Sequence, residues 1–323
     1  MTQKLVPACS IWRALEVVGD TPTLLIIQSY WLGARRFEEF RKQTGLLKAL
    51  VSNRLKKLVE EGCFKKVVYS ERPLRYEYVG TEKLRDQYKL SLAMLHWERK
   101  WFDGTNEHKV HIELRHKNCG KVTDPAPVCS CCRSNVKARE TDWRLGPGGG
   151  EMVAEYGRRR QDAFNKGRPH TALFDNFSYV IGDRWRSLII RSIFRNLNKY
   201  DEILGDTQMA TNILTDRLKS LCEEGFLKKE QYQSNPKRFS YKLTDKGLDV
   251  YPVMMLIMEW GDKWYPDPKG PPLLLTHRPC NHPLQIDMAC SACGESVDLG
   301  DLDYQILEEK EGTSDNMLTS AAV

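Results

Sequence analysis

No apolar run in the chain is long enough to cross a membrane. No uncharged stretch, Thr21 to Ala34 and Tyr251 to Met258 included, reaches the roughly 20 residues a spanning helix needs. No apolar segment follows the start Met, so no secretory signal is expected and the expected compartment is the cytoplasm. The chain has no G-x-G-x-x-G at a strand–helix junction, no P-loop and no H-E-x-x-H. It therefore shows no motif for dinucleotide, phosphoryl-transfer or metalloprotease chemistry, and no enzyme is expected. A strong charge of one sign is missing too: 49 Lys and Arg stand against 43 Asp and Glu in 323 residues. That balance fits nucleic-acid binding without demanding it, so the distribution of charge must decide. A mean hydropathy of −0.52 with 41% hydrophobic residues excludes both a membrane bundle and global disorder.

What the chain does have is a repeat. An offset of 163 aligns residues 17–102 with 180–265 without a gap, giving 29 identities over 86 positions. Gly19-Asp20 matches Gly182-Asp183, Arg54-Leu55-Lys56 matches Arg217-Leu218-Lys219, and Trp97 and Trp101 match Trp260 and Trp264. Copies this long mean tandem globular domains, not a solenoid. A second element follows each copy: His116-x2-Cys119-x9-Cys129-x2-Cys132 recurs as His277-x2-Cys280-x9-Cys290-x2-Cys293.

Within copy one, apolar spacing predicts a helix over Ile11–Val18 and a second opened by Thr21-Pro22, with Thr21 as its cap. A short helix follows over Arg36–Thr44, then a fourth from about Leu47 to Glu61. Two strands, Phe64–Tyr69 and Arg75–Val79, come next, and one long helix runs from Thr81 to about Trp101. Helix, helix, turn, helix, hairpin is the order of a winged helix-turn-helix. The expected fold class is therefore mainly α with small β wings (α+β). It consists of two tandem winged helix-turn-helix domains, each followed by a short Cys/His zinc-ribbon-like module. The expected boundaries are 5–104 and 105–143 for the first domain and module, 144–170 for a linker opened by Gly146–Gly150, 171–266 and 267–305 for the second pair, and 306–323 for a disordered tail.

The outward face of the fourth helix carries Lys48, Ser52, Asn53 and Lys56, with Arg54 either at the groove edge or bracing the fold. Arg36 precedes the helix pair, and Arg72 and Arg75 sit at the hairpin tip, placed to reach phosphates or the minor groove. Copy two offers Thr211, Asn212, Thr215 and Arg217 on its helix and Lys237 and Arg238 on its wing. From Arg35 to Lys89 there are 15 basic and 8 acidic residues, whereas Asn198 to Pro252 has 9 of each. Phosphate neutralisation supplies much of the affinity for duplex DNA, so copy one is expected to be the stronger electrostatic binder. Asp216, where copy one has Asn53, would repel a phosphate but could accept from a cytosine amino group.

These residues carry a resemblance. Cys9, Gly19-Asp20, Arg36-Phe37-Glu38-Glu39-Phe40, Arg54-Leu55-Lys56-Lys57-Leu58, Glu61-Gly62 and the wing Arg72–Tyr78 resemble the HxlR-type winged helix-turn-helix transcriptional regulators, as does Gly182-Asp183-Arg184-Trp185 in copy two. The resemblance covers about 90 residues per copy. It implies a bacterial or archaeal regulator of double-stranded DNA, usually a homodimer joined through its terminal helices. The chain departs from that pattern in holding two winged domains, so it would act either as a pseudo-dimer within one chain or as a homodimer. Some members of the family sense electrophiles or oxidants through a Cys at the position of Cys9, which makes Cys9 a candidate redox sensor beside a plain packed thiol. The other expected means of control is a small-molecule effector, held among the Trp and Met residues of the final helices.

The spacing of His116, Cys119, Cys129 and Cys132, and of His277, Cys280, Cys290 and Cys293, suits one tetrahedral Zn2+ per copy, two knuckles closing each site. Four protein ligands leave no open position, so the zinc is expected to be structural, at up to two sites. A metal-free vestigial knuckle is the bland alternative. Cys131, whose counterpart is Ala292, is a bystander, and Cys63 and Cys222 read as packed core thiols. The competing function is a protein-interaction scaffold that keeps the winged fold and structural zinc but has lost DNA binding in at least the second copy.

Overall fold

The structure, a computed structural model, describes residues 5–102, 111–153, 173 and 175–307. Copy one contributes β1 (Leu5–Pro7), α1 (Ser10–Val18), α2 (Thr21–Trp31), α3 (Phe37–Thr44), α4 (Lys48–Glu60), β2 (Phe64–Glu71), β3 (Leu74–Gly80), α5 (Glu82–Arg85) and α6 (Tyr88–Phe102). The first Cys/His segment holds β4 (His111–His116), β5 (Val122–Thr123), β6 (Ala126–Cys129), β7 (Thr141–Leu145) and β8 (Glu151–Val153). Copy two repeats the order with α7 (Asp175–Ile181), α8 (Arg184–Phe194), α9 (Tyr200–Thr207), α10 (Thr211–Glu223), β9 (Leu227–Ser234), β10 (Lys237–Leu243), α11 (Asp245–Leu248) and α12 (Tyr251–Trp264). The last segment adds β11 (Leu273–His277), β12 (His282–Pro283), β13 (Ile286–Ala289) and β14 (Leu302–Leu307).

The chain divides into two compact units, and each draws on both copies. Among the described residues, the copy-one unit is 17–102, 111–128, 173, 175–182 and 287–307; the copy-two unit is 5–16, 129–153 and 183–286. In the copy-one unit the core is aromatic. Phe64 stacks edge-on with Tyr30 at 5.1 Å and Phe40 at 6.1 Å, above the buried Val51, Leu55 and Leu58 of α4. The helix that packs there is α7, from copy two: Phe177 lies 4.8 Å from Trp97, and the Glu98 carboxylate accepts from the backbone N–H of Phe177 at 2.9 Å. The copy-two unit replaces the aromatics by Ile203, Leu227 and Ile193, and takes the start of α1 from copy one. There Trp12 meets Trp185 edge-on at 6.1 Å, and Arg13 pairs with Asp267 at 3.5 Å. A nine-residue apolar helix is marginal alone and needs a packed partner.

The sheets follow the same interleaving. In the copy-one unit β14 pairs antiparallel with β4, Leu302 opposite His116 and Leu307 opposite His111. In the copy-two unit β11 pairs antiparallel with β7, Leu273 opposite Leu145 and His277 opposite Thr141. Both wings are two-stranded hairpins, β2–β3 and β9–β10, entered through Gly62 and Gly225 at φ +72° and +73°. A side chain is strained in that left-handed turn.

Three local expectations change. The cap of α2 is Asp20, not Thr21: its carboxylate accepts from Thr23 N–H at 3.1 Å, and Thr21 is the first helical residue. The expected long helix after the wing is broken into α5 and α6. In copy two Pro252 can begin α12 but cannot be traversed by a continuing helix; copy one breaks at the same point around the buried Gln87. The Gly146–Gly150 run, expected to open a linker, turns the chain between β7 and β8, and β8 pairs with β1. The expected remainder of the linker from 154, including Arg158–Arg160, and the tail from 308 lie outside the described residues.

Candidate functional site

The α4 helix buries Val51, Leu55 and Leu58 and turns Lys48, Ser52, Asn53 and Lys56 outward, all exposed. Lys48, Ser52 and Lys56 fall four residues apart on one face, the spacing at which three side chains can enter one groove together. At the wing tip Arg72 and Arg75 are both exposed, and Ser70 Oγ donates to Pro73 O at 3.0 Å, closing the turn between them. Arg36 is exposed with its guanidinium 4.3 Å above the Tyr69 ring. Helix face, wing tip and Arg36 belong to one compact unit and are free of buried ion pairs. The matching residues of copy two, Thr211, Asn212, Thr215, Lys237 and Arg238, are exposed as well. The Thr215 hydroxyl donates back to Thr211 O at 2.9 Å, and Tyr200 Oη donates to the same carbonyl at 3.0 Å.

Two residues expected to touch DNA are placed differently. Arg54 Nε donates to Asp20 Oδ1 at 2.8 Å, with the carboxylate almost fully buried. Arg217 repeats the pair with Asp183 at 2.6 Å. Each guanidinium ties its helix to the carboxylate capping the helix two earlier, an arrangement that matches the bracing alternative for Arg54 and that was not expected for Arg217. Asp20→Ala removes a cap and strips Arg54 of its counter-charge, and roughly 3 kcal/mol of stability should be lost. Urea unfolding of the variant checks this; a loss below about 1 kcal/mol would mean that the pair behaves as a surface bridge.

The eight Cys and His ligands do gather into two clusters, but not copy by copy. One consists of His116, Cys119, Cys290 and Cys293, the other of Cys129, Cys132, His277 and Cys280, each within one compact unit and with ligand atoms within 4.8 Å of one another. The expectation that each copy closes its own site is therefore corrected: His-x2-Cys of one copy meets Cys-x2-Cys of the other. The reason is the strand pairing above, which sets β4 against β14 and β7 against β11. Cys119 Sγ lies 3.9 Å from Cys290 Sγ, and Cys129 Sγ lies 3.8 Å from Cys280 Sγ. The His116 and His277 Nδ1 atoms lie 3.4 and 3.5 Å from Cys293 Sγ and Cys132 Sγ. A tetrahedral ion with metal–sulfur bonds of about 2.3 Å sets its sulfurs about 3.8 Å apart, so the residues fit such an ion and are too far apart for disulfides. Hydrogen bonds from Ser134 hold the Cys132 thiol down to about 6. Burial pushes the Cys290 thiol up, but Thr123 and the amides of Ala292 and Cys293 outweigh it and bring it to about 6. Cys131 is exposed and reaches only Cys280 and His282.

Of the remaining thiols, Cys9 and Cys63 are buried and Cys222 is half-buried. Burial pushes Cys63 up to about 12, far from a reactive thiolate. Cys9 is also buried, accepts from Trp12 N–H at 3.4 Å and borders the Arg191 guanidinium. Sequence reasoning missed the group around that arginine. Arg191 of α8 and Arg195, which caps the end of that helix, both bond the buried Asp206 of α9, Arg195 Nη1 at 3.0 Å, and Ser192 Oγ donates to Asp206 at 2.5 Å. The available signal was a charge inside the apolar run Leu188-Ile189-Ile190-Arg191-Ser192-Ile193.

The family model described as HxlR-like helix-turn-helix matches residues 17–106 and 180–269. An uncharacterized HTH-type transcriptional regulator of Mycobacterium tuberculosis is 37% identical over 139 residues, covering 43% of this chain and 87% of that protein. One of Bacillus subtilis is 29% identical over 92 residues, covering 28% of this chain and 85% of its own length. A solved transcription-factor candidate from Pseudomonas aeruginosa is 34% identical, covers 37% of this chain and 81% of its own, and gives a TM-score of 0.30. No helix among the described residues is long and apolar enough to cross a membrane.

Proposed function

The chain belongs to the HxlR-like helix-turn-helix family, matched in both copies, and from that premise we propose that it is a sequence-specific DNA-binding transcriptional regulator with two recognition helices in one chain. The observation that carries this is the exposed basic surface of the copy-one unit. Lys48, Ser52, Asn53 and Lys56 on α4 face outward beside Arg36, Arg72 and Arg75, in a window of 15 basic against 8 acidic residues. The α4 side chains offer donors to base edges, and the wing arginines neutralise phosphates and fix the register.

Each unit combines the winged domain of one copy with the first helix and Cys/His residues of the other. One chain thereby supplies what a homodimer would assemble from two, a pair of half-site readers. The Cys/His clusters are proposed to hold one structural zinc ion each. When bound, zinc supplies cross-linking between segments far apart in sequence; with four protein ligands it has no open position for chemistry. The exposed Asp216 on α10 and the neutral balance of copy two favour a second reading for that half alone: weak DNA contact and a share in binding protein.

Fluorescence anisotropy tests the main reading, using DNA from upstream of the protein's own gene against scrambled DNA over a salt series. Binding well above scrambled DNA with a steep salt slope is expected, and no binding at low salt would overturn it. Arg75→Ala should weaken binding to both DNAs alike and lower the salt slope by about 1, as loss of one phosphate contact requires.

A further inference from the structure

In the copy-two unit a cavity of about 300 Å³ lies among β1, the start of α1, α8, α12 and β11. Its walls include Ile11, Met258 and Leu273, and Cys9, Arg191 and Arg195 also line it. Arg191 is 4% exposed, yet its Nε and Nη1 have no hydrogen-bond partner, and the Nε of Arg195 has none either. Both guanidiniums bond Asp206, and the Cys9 side chain also lies against that of Arg191. Two positive groups thus share one carboxylate beside an apolar space, with donors left over. Leaving a buried charged donor unsatisfied is costly, and an anionic acceptor entering the cavity removes that cost. Glu151, which also lines the cavity, is exposed to water.

The copy-one unit shows what the same position looks like without this chemistry. Gln28, Leu32 and Gln43 stand where copy two has Arg191, Arg195 and Asp206. The Gln28 side-chain oxygen accepts from Leu173 N–H at 2.9 Å, and the remaining space, about 60 Å³, is lined by Trp31 and Tyr88 among others. Copy two has the charged version of this position and copy one a neutral one.

We propose that this cavity binds a small organic monocarboxylate with an apolar body, one per chain, its carboxylate on Arg191 and Arg195. A space of this size is at the lower end of small-molecule pockets, and a few convergent polar groups in an apolar wall are their usual composition. The site itself stands on the cavity and its donors; its use as an effector site rests on the DNA-binding reading above. A bound carboxylate competes with Asp206 for the two guanidiniums. Asp206 sits near the end of α9, directly before α10, so the competition acts on the helix pair that would read DNA.

Isothermal titration of the full chain without DNA tests the site, with propionate, benzoate and 1-naphthoate as probes, each against its amide. At least one acid should bind one per chain, with its amide at least about tenfold weaker. The triple variant Arg191→Gln/Arg195→Leu/Asp206→Gln installs the three residues that copy one carries and leaves no lone buried charge, and it should lose about tenfold or more in affinity. Met258→Trp, which leaves both arginines in place, should block binding by filling the space. The proposal is overturned if no acid binds up to about 10 mM, if amide and acid bind alike, or if the triple variant binds as the parent does. Anisotropy with and without the bound acid then separates the two readings. An unchanged DNA affinity removes the effector role and keeps the site, whereas failure to bind DNA with no acid present counts against the regulator alone.

Discussion

Replacing Cys119 and Cys290 together by Ser should leave one zinc ion per chain, whereas replacing Cys119 and Cys129 together should leave none. The structure places Cys119 with Cys290 and Cys129 with Cys280, at sulfur separations of 3.9 and 3.8 Å. Local pairing within each copy, the simple reading of the spacing, requires the opposite result from the same two variants. Metal analysis after dialysis therefore decides between the two arrangements without any structure of the holoprotein. The stability effect should be large, since apparent binding free energies for structural zinc are about 10 kcal/mol or more and count toward folding. Each ion would close a loop of more than a hundred residues, from His116 to Cys293 in one cluster and from Cys129 to Cys280 in the other. Losing either should lower Tm by on the order of 10 °C, and losing both by more. A strong chelator should reproduce the double loss, more readily as pH falls and the cysteines and histidines take up protons.

The crosswise arrangement marks the limit of what spacing can say. His-x2-Cys and Cys-x2-Cys each define a knuckle, and a knuckle shows that two ligands will meet an ion. It does not say which second knuckle completes the site when four are present. That choice is made by strand register, Leu302 against His116 and His277 against Thr141, between segments with no sequence signature of their partner. The helix-turn-helix order, the wings and the outward face of α4 were legible because periodicity and breakers act locally. Arg54 and Arg217 were half legible: their recurrence together with Gly-Asp is a repeat of an ion pair, but the pair spans 34 residues in each copy and could be read as a basic groove edge. Arg191 was illegible as a site. Only the fold places Cys9 and Asp206 beside its guanidinium and sets that guanidinium in the wall of a cavity.

Giving copy one the residues of copy two should cost the most affinity for DNA. The triple variant Lys48→Thr/Asn53→Asp/Arg72→Asn installs the counterparts Thr211, Asp216 and Asn235, all at exposed positions, so the fold should be unaffected. Two cations leave the DNA-facing surface and an anion enters it. The slope of log affinity against log salt should fall by about 2, and affinity at about 150 mM salt by roughly a hundredfold. The reciprocal change in copy two, Thr211→Lys/Asp216→Asn/Asn235→Arg, should strengthen non-specific binding through the same counterion release. Its effect on a specific site carries further information. If Asp216 only repels phosphate, specific binding strengthens in parallel. If Asp216 accepts from a cytosine amino group, Asp216→Asn alone strengthens binding to scrambled DNA while weakening the cognate site by about 1–3 kcal/mol at one base pair. An unchanged affinity and salt slope in the copy-one variant would show that its charge does not set binding. A loss in copy one beside a gain in copy two means that one chain presents two unlike surfaces to DNA, which a homodimer of single-domain subunits cannot do, because its two surfaces are identical by symmetry.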